Sequence, residues 1–211
     1  MTSGWIASNA GINKGVARSG EASDRRLARG NRTRTFILEG MIALIDGGNP
    51  RPTRHQVAAR ADIAVRSLYH HFATMDAMFQ SSVELHLARH RALVATIPPR
   101  GPIAARIRVT CQQRRQFFEV VAPLLRVANG RAQESPSLQG VLSRHRSDLR
   151  QHLAVTFGPE IAARGVDATV LLDALDLTTG WQSWIILRLE TGHSASSAEQ
   201  LMAYAVACTL G

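Results

Sequence analysis

The sequence predicts an all-α protein in two parts, a three-helix head followed by a larger helical region. Apolar residues recur every three or four positions from about residue 34 onward, and no segment shows the alternation of apolar and polar residues that marks a strand. The chain of 211 residues is 45% apolar but only 5% aromatic, a composition that suits helices packed through aliphatic side chains.

The net charge of +9 is concentrated in the N-terminal half. Residues 1–100 contain 14 Lys and Arg against 7 Asp and Glu, whereas residues 101–211 contain 11 against 9. A polyanionic partner should therefore meet the N-terminal half. The alternative is a solvated surface in a protein that favours arginine, since Lys14 is the only lysine of the chain.

The cysteines and the hydropathy pattern bear on the compartment. Cys111 and Cys208 are isolated, which favours reduced, buried thiols over a disulfide or a metal site. The chain has no run of about 18 apolar residues, and its N-terminus lacks a hydrophobic signal core. We therefore expect a cytoplasmic protein with no membrane partner.

Residues 1–30 are rich in Gly, Ser, Ala and Asn, so we expect a flexible basic N-terminal arm that could lay arginines into a DNA minor groove. An equal alternative is a disordered leader or a wrongly chosen start codon. The head is expected over residues 31–79, and its first helix over Arg34 to Asp46. The inward stripe of that helix is predicted to be Phe36, Ile37, Met41, Leu44 and Ile45.

Two short helices joined by a tight turn are predicted over residues 53–72. Thr53 is placed to cap the first helix, and Gln56 completes a capping box. Small residues at positions 57, 58 and 61 allow another helix to pack closely. Asp62 lies at the turn, where it can adopt left-handed backbone. These features predict a helix-turn-helix unit.

The second of these helices exposes polar and basic groups. Leu68 and Phe72 face inward at i and i+4, which leaves the intervening polar side chains outside. We expect these to contact DNA. Base edges are assigned to Val65, Arg66 and Ser67, and phosphates to Thr53, Tyr69 and His70.

This segment resembles the DNA-reading unit of the TetR family of transcriptional repressors, in which a capped helix, a short turn and a Leu-Tyr-x-His-Phe ending recur. Here the ending is Leu68-Tyr69-His70-His71-Phe72. The layout is similar over nearly the whole chain, but the specific motifs lie within residues 34–79. Two features depart from the family: Asp62-Ile63-Ala64 replaces Gly-Val-Ser, and the phosphate-contacting lysine near Met75 is missing.

The resemblance implies a homodimeric repressor that occupies a palindromic DNA operator and is released by a small-molecule effector. Residues 80–211 would then form the helical effector-binding and dimerisation domain. A helix capped by Thr74 is expected to reach Ile97 and join the two parts. Further helices are predicted from Pro102 to a break near Pro123, from Leu124, from Ser135-Pro136 to Phe157, over 168–190 and over 196–210, the last opened by a capping box of Ser196 and Glu199.

Aromatic and charged residues of this second region suggest a ligand pocket formed by Arg114, Phe118 and Trp181, although aromatics at helical spacing are more often plain core. The strongly apolar segments 168–190 and 196–210 suggest a self-complementary dimer surface, with the alternative that they complete the monomer core. That surface is assigned to Trp184, Ile185, Leu201 and Tyr204.

His86 and His90 have the i, i+4 spacing of metal ligands but no evident third ligand, so we expect no metal site and no cofactor. No nucleophile elbow, phosphate loop or Cys-x-x-Cys occurs, and we expect no enzymatic activity. An alternative to a DNA-binding regulator, from a different functional class, is a small helical enzyme or ligand-binding protein whose basic surface is incidental. A third is a DNA-associated structural protein without an effector.

Overall fold

The computed structural model describes the backbone of residues 9–211 and the side chains of residues 28–211. Most of the predicted arm's side chains lie outside this description, as does the backbone of residues 1–8. The helices are α1 (Asn9–Asp46), α2 (Arg54–Arg60), α3 (Val65–His71), α4 (Met75–Arg89), α5 (Ile103–Ala132), α6 (Pro136–Thr156), α7 (Gly158–Ala163), α8 (Ala168–Thr179), α9 (Trp181–Ile185) and α10 (Ala195–Leu210). Over residues 9–211 no strand occurs, which agrees with the predicted all-α class.

The first helix is much longer than predicted, since α1 begins at Asn9 rather than Arg34. The apolar periodicity that placed the start at Arg34 is absent upstream, but no proline there interrupts a helix. Ile37 and Met41 are buried as expected, whereas Phe36 is 55% exposed, so its place in the inward stripe was wrong. Whether residues 1–30 are flexible stays a prediction.

The two short helices that follow agree with the sequence. Thr53 caps α2, and the capping box with Gln56 is present. Asp62 adopts left-handed backbone at φ 53°. A Cβ at Gly40 of α1 would lie 3.4 Å from the Val57 carbonyl oxygen, so glycine at this position lets α1 and α2 approach closely. Ala64 at the N-cap of α3 makes no side-chain cap bond.

The helix after the head is shorter than predicted. Thr74 caps it as expected, but α4 ends at Arg89 and a 3₁₀ turn, Arg91–Val94, follows. A His90 ring nitrogen lies 2.9 Å from the His86 carbonyl oxygen and satisfies a backbone group at the helix end. The predicted continuous helix to Ile97 was therefore wrong.

The central helix α5 passes through Pro123 without ending, contrary to the predicted break. Proline removes one helical hydrogen bond, a local cost of about 3 kcal/mol. On both sides of it, however, Val121, Leu124 and Leu125 are buried in the core. Their packing against the surrounding helices keeps α5 in one piece, and α5 contacts α1, α4, α6 and α10.

The C-terminal helices differ from prediction at two places. The predicted helix 168–190 is divided at Gly180 into α8 and α9, and the latter continues as a π-helix, Ile186–Glu190. A Cβ at Gly180 would lie 2.7 Å from the Asp176 carbonyl oxygen.

The last helix, α10, begins at Ala195 and is capped by Ser194, so the predicted capping box of Ser196 and Glu199 was wrong. Glu199 instead forms an ion pair with Arg115 of α5. By contrast, α6 begins where predicted, with Ser135 as its cap and Pro136 as its first residue. Of the residues described, none belongs to a helix long and apolar enough to span a membrane.

Candidate nucleic-acid interface and internal cavity

The helix α3 presents its polar side outward and its apolar side to the head. Leu68 and Phe72 are buried at 0% and 3% exposure, whereas Tyr69 is 57% exposed. Arg66 and His70 are also exposed, and Ser67 is half-buried. Val65 is partly buried against the core, which limits its reach toward a base.

The C-terminal end of α3 is tied to α1 and α4 by Arg34. Its guanidinium lies over the Phe72 ring at 4.1 Å, and it donates hydrogen bonds to the His71 carbonyl oxygen and to Ser81 Oγ. Burial lowers the pKa of His71, so this histidine is neutral at pH 7. The exposed polar side chains of α3 are therefore carried on a fixed helix.

Arg54 of α2 orders the predicted phosphate contact Tyr69. Its guanidinium lies 4.2 Å from the Tyr69 ring centroid, and Nη2 donates to the Ala73 carbonyl oxygen. The Thr53 hydroxyl already accepts the Gln56 backbone N–H as helix cap. The sequence did not predict the contact between Arg54 and Tyr69, because that contact depends on the angle between α2 and α3.

A cavity of about 340 Å³ lies among α5, α6, α8 and α9, and the three predicted pocket residues Arg114, Phe118 and Trp181 all line it. Phe118 and Trp181 meet edge to face with ring centroids 5.7 Å apart. Leu125, Leu142 and Leu149 supply further apolar wall. Its volume is within the range of small-molecule sites.

Arg114 is the most unusual group of this cavity. It is 2% exposed, and Nη2 donates to the Leu149 carbonyl oxygen at 2.8 Å. Its Nε and Nη1 have no hydrogen-bond partner, nor does Nε2 of His145, which also lines the cavity. Burial lowers the pKa of Arg114 to about 10. Burial, and next the charge of Arg114, lower the pKa of His145 to about 4.

The buried carboxylate of Asp176 lies in the same wall but is already neutralised. Arg146 contacts it at 2.8 Å and Arg150 at 3.8 Å. The sequence offered no local signal for His145 or Asp176, because they reach the cavity from α6 and α8 only after those helices pack on α5.

The predicted dimer residues divide into two groups. Trp184 is 2% exposed and packs beside Phe118 within one chain, so its assignment to a surface was wrong, and Ile185 is partly buried against the core. Leu201 and Tyr204 of α10 are 39% and 71% exposed. On the neighbouring α8, Val170 and Leu177 are also exposed, and sequence reasoning did not assign them to this surface.

The histidine pair has structural contacts. The His86 and His90 rings lie 4.6 Å apart, and the first faces the Val120 carbonyl oxygen. Among the described side chains, no three His, Cys, Asp or Glu residues come together as metal ligands. Cys111 is buried, which raises its pKa to about 12, whereas Cys208 is exposed rather than buried as expected.

Comparison with solved structures identifies the fold. A protein from Rhodococcus sp. described as a TetR-family transcriptional regulator is 17% identical, with a TM-score of 0.66 over 85% of this chain and 100% of that one. A second from Mesorhizobium loti MAFF303099 with the same description is 18% identical, with a TM-score of 0.60 over 86% and 96% of the two chains. The multidrug binding protein EbrR, complexed with imidazole, is 18% identical, with a TM-score of 0.52 over 82% and 93%.

The sequence matches no family model and no curated protein. The structural likeness is nevertheless consistent across these proteins and extends over most of each chain. The protein therefore has the fold of TetR-family transcriptional regulators, as the segment 53–72 predicted.

Proposed function

We propose that the protein is a sequence-specific DNA-binding transcriptional regulator, a homodimeric repressor that a small-molecule effector releases from a palindromic operator. The observation that carries this proposal is the geometry of α3, whose exposed Arg66, Tyr69 and His70 stand on a helix fixed by buried Leu68 and Phe72. The shared fold with TetR-family regulators supports it. Such a protein needs no catalytic activity and would act in the cytoplasm.

In this proposal the first turn of α3 enters the major groove and the flanking side chains hold the backbone. Arg66 suits bidentate contact with guanine, and Ser67 can contact either kind of base edge. Thr53, Tyr69 and His70 would contact phosphates. The stacking of Arg54 on Tyr69 would orient the phenol without contacting a base.

The proposed dimer uses the exposed apolar side chains of α8 and α10. Val170, Leu177, Leu201 and Tyr204 would be covered by the same residues of a second copy, as a two-fold axis requires. A symmetric dimer would set two α3 helices about 34–36 Å apart, or a multiple of that, on a palindromic site.

Two contacts could connect the cavity to the head. Asn129 and Ala132 of α5 line the cavity, and Arg131 between them donates to the Pro50 carbonyl oxygen of the head. The Arg131 guanidinium also lies over the Phe79 ring of α4 at 4.4 Å. A ligand that displaces this end of α5 would therefore move the head, although α4 is not the continuous strut that the sequence predicted. A coupling of about 1–3 kcal/mol is typical of such regulation.

The test is selection of bound DNA from a random pool, followed by the same selection with Arg66→Ala. We expect a palindrome for the wild type. The variant should lose sequence preference at one position of each half-site and bind the wild-type site about 1–3 kcal/mol more weakly.

Arg108→Ala, an exposed arginine of α5, is the matched control because it removes one positive charge away from the head. It should select the wild-type sequence. An unchanged sequence logo for Arg66→Ala would contradict the base-reading role, and recovery of no preferred sequence by the wild type would contradict the proposed function.

A further inference from the structure

The charge balance of the cavity indicates which class of effector it binds. A guanidinium has five N–H donors and must keep its positive charge. The one acceptor that Arg114 contacts is the Leu149 carbonyl oxygen. Two of its three nitrogens have no partner, although the residue is 2% exposed. A buried charge left this way is strongly unfavourable relative to a paired one.

A single bound water cannot correct this imbalance. Arg114 also borders a second cavity of about 10 Å³, lined by Thr110 and His152, whose volume is that of one water. One water can accept two hydrogen bonds, whereas four donor hydrogens of Arg114 remain. Arg114 also lines the 340 Å³ cavity, which has room for a ligand.

The carboxylate in the cavity wall makes no ion pair with Arg114, and its negative charge only partly offsets the effect of burial, which lowers the Arg114 pKa. Asp176 has no contact with Arg114 within salt-bridge distance, and it is held instead by Arg146 and Arg150. Because Asp176 is paired with Arg146 and Arg150, Arg114 is the charged residue of the cavity lining that is left without an ion-pair partner. Nε2 of His145 adds a second nitrogen without a partner. A cationic ligand would meet the unpaired Arg114, whereas an anion would be attracted to it.

The larger part of the remaining wall is apolar, although polar side chains such as Asn129, Gln139 and Gln182 also line it. Phe118 and Trp181 present aromatic surface, and Leu125, Leu142 and Leu149 extend it. We propose that the effector is an amphipathic organic acid whose carboxylate forms an ion pair with Arg114 and accepts a hydrogen bond from the neutral His145 ring, and whose apolar or aromatic body packs on Phe118 and Trp181. This inference rests on the proposed function, because it assigns the chemistry of the effector in that scheme.

Binding would require a local rearrangement. The free nitrogens of Arg114 are shielded from solvent, so the guanidinium must turn toward the larger cavity to meet a carboxylate. Such a turn weakens its bond to the Leu149 carbonyl oxygen and so loosens α5 from α6. The ligand is thereby linked to the helix whose other end contacts the head.

The experiment measures affinity by isothermal titration calorimetry on the full chain without DNA. The probes are phenylacetate, naphthylacetate and decanoate, each with its neutral amide and with the primary amine of the same skeleton. We expect at least one acid to bind about tenfold or more tightly than its amide, because the amide cannot form the charge-assisted pair. The amines should bind most weakly.

Arg114→Met keeps a similar volume and removes the charge, and Arg108→Met is the matched control on the exposed side of the same helix. The first variant should lose the preference for acid over amide, and the control should keep it. If Arg114→Met fails to fold, the comparison of acid, amide and amine on the wild-type chain still tests whether the cavity prefers a carboxylate.

Equal binding of acids and amides, tighter binding of amines, or no binding of any of the three acids would overturn the inference. These outcomes leave the proposed DNA binding intact, since operator selection is a separate measurement. Conversely, if the chain binds an acid tightly but selects no DNA sequence, the proposed ligand chemistry is supported and the proposed function as a DNA-binding regulator is refuted.

Discussion

Gly180 divides α8 from α9, and its replacement tests whether this break is required by packing. The residue has φ −81° and ψ 171°, which alanine can adopt, so backbone preference alone permits Gly180→Ala. The obstacle is steric, because the new Cβ would lie 2.7 Å from the Asp176 carbonyl oxygen. That atom belongs to the backbone of α8 and cannot rotate away.

The cost follows from this contact. Relief requires α8 and α9 to move apart by several tenths of an ångström in a packed region, and such overpacking destabilises by about 1–3 kcal/mol. For a chain of this size, each kcal/mol lowers the melting temperature by about 2–4 °C. Residues 176, 177 and 179–183 line the cavity, so the same movement should also weaken ligand binding.

The assay is thermal unfolding followed by circular dichroism, with Gly130→Ala as control. Gly130 lies inside α5, and a Cβ there would meet nothing within 4 Å. Alanine at this position should stabilise the chain by about 0.5–1 kcal/mol, because it restricts the unfolded state. If Gly180→Ala melted at or above the wild-type temperature, the packing explanation for the break would be refuted.

Three further predictions concern the turn, the cavity and the proposed dimer. Asp62→Gly should raise the stability by about 0.5–1 kcal/mol in urea unfolding, because Asp62 holds φ 53°, a conformation that glycine adopts without strain; a loss of stability would contradict this. Since burial lowers the pKa of His145 to about 4, the unfolded chain binds this proton more readily, and stability present above about pH 6.5 is lost as the pH falls toward 4. In His145→Gln, the free energy of unfolding that is lost as the pH falls should be smaller by on the order of 1–3 kcal/mol, and an unchanged pH profile would show that His145 does not contribute. Tyr204→Asp should yield a monomer by light scattering, while Val155→Asp on α6 should leave the mass of the wild type; a folded wild-type monomer at micromolar concentration would exclude the dimer.

Structural features that depend only on residues close in sequence could be predicted from the sequence. The capping box of Thr53 and Gln56, the left-handed turn at Asp62 and the inward pair Leu68 and Phe72 depend on contacts within a few positions of the chain. Such contacts form in the same way wherever the segment lies, so the sequence alone determined the two short helices and the all-α class.

The arrangement of the helices after the head depends on contacts between residues that are distant in sequence. Local rules predicted a break at Pro123 and none at Gly180. The structure shows the opposite at both positions: the residues that flank Pro123 are buried in the core, and α8 ends at Gly180, where a Cβ would lie 2.7 Å from the Asp176 carbonyl oxygen. The sequence selected Arg114, Phe118 and Trp181 as pocket residues, and the structure brings them together around one cavity. Only the tertiary structure paired Asp176 with arginines of α6, left Arg114 without such a partner and buried Trp184, since these depend on how α5, α6, α8 and α9 meet.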